Sequence, residues 1–119
     1  MRDRRPKLLV DAIGAIDAVL SFATGKTLTE YESDLLLRSA VERQMEILGE
    51  ACTRLLREHA ALFDEIPAAR LAIGLRNRII HGYDAVDNET VYRTAVDDLG
   101  TLRSALDAWL RRIDPNASA

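Results

Sequence analysis

Apolar residues recur at intervals of three and four along most of this chain, the spacing that gives a helix one apolar face. Leu9, Ile13, Ile16, Val19 or Leu20, and Ala23 do so first and predict a helix over residues 7–23. Thr24, Gly25, Lys26 and Thr27 interrupt the pattern. Thr29 with Glu32 three positions on has the form of a capping box, and from there the periodicity runs unbroken to about residue 59. Leu37, Val41, Leu48, Cys52 and Leu55 mark the stripe expected to be buried, while Glu42, Arg43, Glu46, Arg54, Arg57 and Glu58 occupy the rest. A helix of roughly thirty residues spans about 45 Å, long enough to be the spine against which the others pack.

Pro67 suits the first turn of a third helix running to residue 80 or 81, with Gly82 just past its end, where a left-handed C-cap would fall. Residues 84–88 are polar and turn-like. Beyond them Tyr92, Ala95, Leu99, Leu102, Leu106, Trp109 and Ile113 keep heptad spacing, suited to antiparallel packing, until Asp114, Pro115 and Asn116 stop the helix. No strand pattern, repeat or low-complexity stretch competes. The expected fold is all-α, an up-and-down bundle of four to five helices forming one domain over residues 1–119.

Composition agrees with a soluble helical protein: 48% hydrophobic residues and 29% charged ones can build a core without disulfides. No window approaches the roughly 20 apolar residues that span a bilayer. The basic start, with four cations and one anion in residues 2–7, is followed by an apolar run that Asp11 soon interrupts, so no cleavable signal peptide is expected. Cys52 is the single cysteine and sits among apolar neighbours, which fits core packing in a reducing cytoplasm.

The charge is segregated along the chain. Residues 66–83 hold Arg70, Arg76 and Arg78 and no carboxylate, in a chain whose net charge is −3. A polyanion is drawn to such a segment first. Within it, residues 75–83 read LRNRIIHGY and gather Arg76, Asn77, His81 and Tyr83 at the expected end of the third helix. Histidine exchanges protons near neutrality, and arginine offers a permanently charged planar fork that fits phosphate. The bland alternative is that cations and glycine at a helix C-terminus merely satisfy its dipole and its cap. His59 is expected to be a solvated histidine of that ordinary kind.

The string Arg76-x4-His81-x-Tyr83 resembles the signature of the HEPN superfamily, and more closely its HepT-like branch, the toxin halves of HepT/MntA toxin–antitoxin pairs. Residues 40–51, AVERQMEILGEA, look like the long second helix of that family, residues 71–84 match its core segment, and the resemblance covers about residues 6–113. It implies that Arg76 and His81 form a metal-independent RNase centre, that Asn77 supports it, and that Tyr83 accepts AMP from a cognate MntA-like nucleotidyltransferase antitoxin. Arg70 and Arg78 are then the cations expected to bind RNA. It also implies a homodimer, with higher assembly with the antitoxin open. No DNA and no membrane partner is expected.

Asn77 and His81, four apart, share a helix face, so the amide could orient the imidazole or bind the same phosphate. Arg76 and His81, five apart, point about 140° away from each other, so a groove between two subunits is expected to bring the motifs together. The expected reaction is attack of a 2′-hydroxyl on the adjacent phosphorus, with His81 moving the proton and Arg76 stabilising charge on the phosphorane. Two histidines, one cysteine and neither His-x3-His nor Cys-x2-Cys offer no metal-ligand pattern, and no cofactor is expected. Asp97 with Asp98, and Asp84 with Asp87, read better as solvated faces or a turn than as metal carboxylates. The Gly25-Lys26-Thr27 triplet is no P-loop, since Leu20 stands where the first glycine is required. The competing functional reading is a non-catalytic helical partner subunit of a nucleotidyltransferase, and a further one is a purely structural dimeriser.

Overall fold

A computed structural model describes residues 3–82 and 86–117. It contains α1 (Arg5–Ala23), α2 (Leu28–Ser33), α3 (Leu35–Glu58), α4 (Leu62–Glu65), α5 (Ala68–His81), α6 (Asn88–Arg93) and α7 (Leu99–Ile113), with a π-helical turn at Thr94–Asp98 joining the last two. The described residues include no strand, and the architecture is the expected helical bundle. α3 packs against both α1 and α5, and α7 packs against α1. The anticipated stripes are its core: Leu9, Ile13, Ile16, Val19 and Ala23 of α1, Leu37, Val41, Leu48, Cys52 and Leu55 of α3, and Leu99, Leu102, Leu106 and Trp109 of α7 are all buried. Met45 joins them. Burial pushes the Cys52 thiol up to about 12, so it is an inert core group.

The long second helix is not continuous. The capping box belongs to Thr27 and Glu30, two residues earlier than expected, and it starts the short α2. α2 ends because Ser33 donates its hydroxyl to the Thr29 carbonyl at 2.8 Å and the Arg38 guanidinium reaches the Glu32 carbonyl. Asp34 then turns extended and accepts from the Leu37 N–H at 3.0 Å, capping α3 afresh. Short polar side chains that compete for backbone groups thus divide what apolar periodicity alone joins. The break leaves Leu35 and Leu36 exposed, at 68% and 81%.

α2 is held down by Tyr31, buried with its ring 5.7 Å from that of Tyr92, whose hydroxyl donates to the Lys26 carbonyl at 2.5 Å. Gly25 supplies the left-handed residue of this turn, with φ of 79°. The heptad-spaced helix also differs from the ideal. Thr94 is buried and donates to the Thr90 carbonyl at 2.9 Å at the start of the π turn. Asp87 is the N-cap of α6, accepting from the Glu89 N–H and the Thr90 hydroxyl, which agrees with a turn role for that carboxylate.

His59 is not a solvated histidine. As the C-cap of α3 its side chain is only 25% exposed, with the ring 4.8 Å from that of Trp109 and Nε2 3.2 Å from Oε2 of Glu65, close enough for an ion pair but not aligned as a hydrogen bond. Gly82 is not left-handed either. Its φ is −144°, and its N–H closes α5 on the Arg78 carbonyl at 3.0 Å. Among the described residues no helix is long and apolar enough to cross a membrane.

Asp17 on α1 and Arg103 on α7 form an ion pair between two packed helices, and the hydrogen bond from Arg103 holds the Asp17 carboxyl below its ordinary value. A carboxyl whose folded pKa is depressed contributes its stability above the unfolded value and loses it as pH falls through the folded one. The pair is substantially exposed, so Asp17→Asn is expected to cost no more than about 1 kcal/mol at neutral pH. The gap between the two proteins' thermal midpoints should close progressively in acid below the ordinary aspartate range, measured by circular dichroism.

Candidate functional site

The residues that carry chemistry are arranged by one close approach. A Cβ built on Gly49 of α3 would lie 2.2 Å from Cβ of Arg76, 2.8 Å from its Cγ and 2.9 Å from the Ala72 carbonyl oxygen. Only glycine lets α5 sit this near to α3, and Arg76 is the side chain pressed into the gap. Its stem is thereby fixed while its head stays at the surface, leaving the side chain 25% exposed.

The guanidinium has two partners among the described residues. Nη1 donates to Oδ1 of Asn77 at 3.1 Å, and Nη2 is 2.9 Å from Oε2 of Glu50. Because arginine only donates, the Asn77 amide must turn its oxygen inward, which leaves its two N–H groups facing solvent. Glu50 in turn accepts from Nε of Arg54 through its other oxygen at 3.0 Å. A chain of alternating charge, Arg54, Glu50, Arg76, therefore crosses from α3 to α5. Glu50 and Arg54 also line a groove of about 470 Å³ between α1 and α3.

α5 brings together some of the sequence-derived residues and not others. Asn77, Arg78 and His81 are all exposed. Of the two roles open to Asn77, a direct contact with the imidazole does not form: the amide oxygen goes to Arg76, and the His81 side chain has no hydrogen bond or ion pair to the described residues. Arg78 lies near Asp87, whose carboxyl is held below its ordinary value first by the Thr90 hydroxyl and only lastly by Arg78. Arg70 is exposed near the start of α5, eleven residues before His81 or about 16 Å along the axis, so the two cannot touch one phosphate. Tyr83, the expected AMP acceptor, lies outside the described residues.

Arg76 and His81 of one chain stay apart, as their spacing requires. Five residues put them about 7.5 Å apart along the axis and about 140° around it. Among the described residues no group of three His, Cys, Asp or Glu side chains is placed to hold a metal ion. What α5 presents is a half-sheltered guanidinium with most of its N–H groups not engaged by the described residues, an outward amide beside it, and an imidazole at the helix end. That set can grip an anionic oxygen and exchange a proton.

Two contributors were missed from sequence, Gly49 and Glu50. Gly49 had a signal: glycine inside an amphipathic helix costs about 1 kcal/mol relative to alanine, so its presence calls for a packing reason. Glu50 had none, since a pair formed across 26 positions has no local pattern.

A family model described as ribonuclease HepT-like matches residues 12–109. "Putative RNase MJ1216" of Methanocaldococcus jannaschii is 26% identical over 106 residues, which cover 89% of this chain and 87% of that one. "Probable ribonuclease HepT" of Thermococcus cleftensis is 27% identical over 107 residues, covering 90% and 96%. No solved structure gives a significant match.

Alanine in place of an interior helix glycine ordinarily gains about 1 kcal/mol. At position 49 overpacking, at about 1–3 kcal/mol, should win, because the obstacles are a neighbour's Cβ and a backbone carbonyl that cannot rotate away. Gly49→Ala is expected to lower the thermal midpoint, whereas Gly100→Ala, where nothing lies within 4 Å of the new methyl group, should raise it. Thermal unfolding of the two variants side by side checks both signs.

Proposed function

Because the chain belongs to the HepT-like ribonuclease family, we propose that it is an RNA endonuclease that works through Arg76 and His81 without a metal ion. The observation that carries this reading is the placement of Arg76, its stem locked against Gly49 and its guanidinium offered at the surface of the helix that bears His81. In the reaction the 2′-hydroxyl of one nucleotide gives up its proton and attacks the adjacent phosphorus. His81 takes that proton and gives it up to solvent, Arg76 with the Asn77 N–H groups stabilises charge on the phosphorane oxygens, and the bond to the 5′-oxygen breaks as that oxygen picks up a proton from solvent. The products are a 2′,3′-cyclic phosphate and a 5′-hydroxyl. Arg78, and Arg70 further along the helix, bind neighbouring phosphates.

The working form is a homodimer. Arg76 and His81 diverge on one helix, and the same helix keeps Leu71 and Ile80 exposed, apolar surface that a second copy can cover. Each composite site then takes Arg76 from one protomer and His81 from the other. The protein acts as the toxin of a toxin–antitoxin pair in the cytoplasm, alone or in higher assembly with its partner. A cognate MntA-like nucleotidyltransferase silences it by adding AMP to Tyr83. An adenylate two residues from His81 would place both bulk and negative charge where the RNA phosphate binds. The alternative, a non-catalytic subunit of the nucleotidyltransferase, uses the same helix end for docking alone.

RNA incubated with the purified protein in EDTA is expected to be cut and to carry 2′,3′-cyclic phosphate ends. Arg76→Ala and His81→Ala should each reduce cleavage by at least about a hundredfold with the helical signal intact. Cleavage surviving both substitutions would move the activity elsewhere, and a wild type that binds the nucleotidyltransferase but leaves RNA whole would favour the docking alternative.

Intact mass after incubation with ATP, magnesium and a cognate MntA-like nucleotidyltransferase should rise by one or more AMP groups. Tyr83→Phe should gain none and should keep its RNase activity in the partner's presence. Equal labelling of both proteins would remove Tyr83 from the regulation.

A further inference from the structure

We propose that Glu50 is a positioning residue for Arg76, holding the guanidinium where the RNA phosphate is to bind. This rests on the reading of Arg76 as a group that touches the substrate. Of the two partners of the guanidinium, Asn77 is its neighbour on α5 and moves with it, so that hydrogen bond cannot register Arg76 against the rest of the fold. Glu50 can, because it stands on α3, the helix on which α5 is packed.

Glu50 is itself constrained. Its Oε1 takes the hydrogen bond from Arg54 at 3.0 Å while Oε2 faces Arg76 at 2.9 Å, and the side chain is 36% exposed. The residue before it is Gly49, so the closest approach of the two helices and the ion pair adjoin on one turn of α3. The contacts divide the labour. Gly49 fixes the Cβ–Cγ stem of Arg76, and Glu50 fixes the far end, whose χ angles would otherwise let a planar fork sweep the surface. One carboxylate between two guanidiniums leaves the trio at +1, enough to attract a phosphate. The N–H groups of Arg76 directed at neither Asn77 nor Glu50 remain for the ligand.

A positioning role makes a split prediction. Glu50→Gln keeps the size and removes the charge, so Arg54 and Arg76 are left unopposed and less ordered. RNA binding should hold or tighten while turnover falls. KM is expected to stay level or drop, and kcat to fall by on the order of ten- to a hundredfold, the loss typical of a catalytic group displaced by about 1 Å.

The experiment measures kcat and KM of wild type and Glu50→Gln on one RNA, with thermal midpoints as a check on folding. In parallel, the Arg76 Nε–H resonance in 15N spectra is identified by its loss in Arg76→Ala. Wild type should show slowed rotation and solvent exchange at that group, and Glu50→Gln should show fast averaging. An unchanged or raised kcat overturns the proposal, as does a rise in KM alone, and so does an Arg76 signal that is the same in both proteins. If the wild type does not cleave RNA, it is the proposed activity that fails, and the Arg76 resonance still decides whether Glu50 holds it. Should Glu50→Gln unfold, Glu50→Asp serves in its place, since one methylene less withdraws the carboxylate from Arg76 while keeping its charge beside Arg54.

Discussion

α3 and α5 meet at Gly49, and that contact sets where the polar groups of the site can go. Two helices approach so closely there that position 49 has no room even for a Cβ, because the stem of Arg76 fills the gap. Everything polar around the site follows from that proximity. Glu50 reaches Arg76 only because its helix is drawn in by its neighbour, and Asn77 turns its oxygen inward because it then sits beside a donor-only group. The core supports the arrangement from behind: Ala69, Ala72, Leu75 and Ile79 of α5 are buried, and their small or compact side chains suit a close approach.

The same contact resolves an apparent conflict of charge. The segment carrying Arg70, Arg76 and Arg78 is free of carboxylates, yet it is not a bare basic patch in three dimensions. Glu50 arrives from α3 and Asp87 from the N-terminus of α6. An arginine already engaged by a carboxylate is more ordered than a free one and less strongly attractive to anions. That trade suits a group asked to stabilise a transition state rather than simply to capture a polyanion.

The apolar faces of α1, α3 and α7 were legible because burial is written at a fixed period, and neither the break at Asp34 nor the π turn at Thr94 changes which residues face inward. What periodicity does not carry is how backbone groups are satisfied. Thr27 with Glu30 and Thr29 with Glu32 fit the same capping template, and the choice between them is made by the turn at Gly25 and by the contest among Ser33, Asp34 and the backbone. The end of α5 shows the same limit, since Gly82 closes the helix without the left-handed geometry its identity invites. At the site, Arg76, Asn77 and His81 were found through a resemblance to known sequences, and their mutual geometry was half legible: the divergence of Arg76 from His81 follows from helix pitch, but the partner of Asn77 does not. Glu50 was invisible, because only the folded chain places it within reach of Arg76.

If Arg76 and His81 act on one RNA phosphate from two different copies of the chain, two inactive variants should complement each other when mixed. Arg76→Ala and His81→Ala proteins, each silent alone, are unfolded together, refolded and assayed for RNA cleavage. In a mixed dimer one composite site joins the intact Arg76 of one protomer to the intact His81 of its partner, so cleavage should return to about a quarter of the wild-type rate, given random pairing and one working site per mixed dimer. A mixture that stays as inactive as its components, with mixed dimers demonstrably present, would rule out a site shared between protomers.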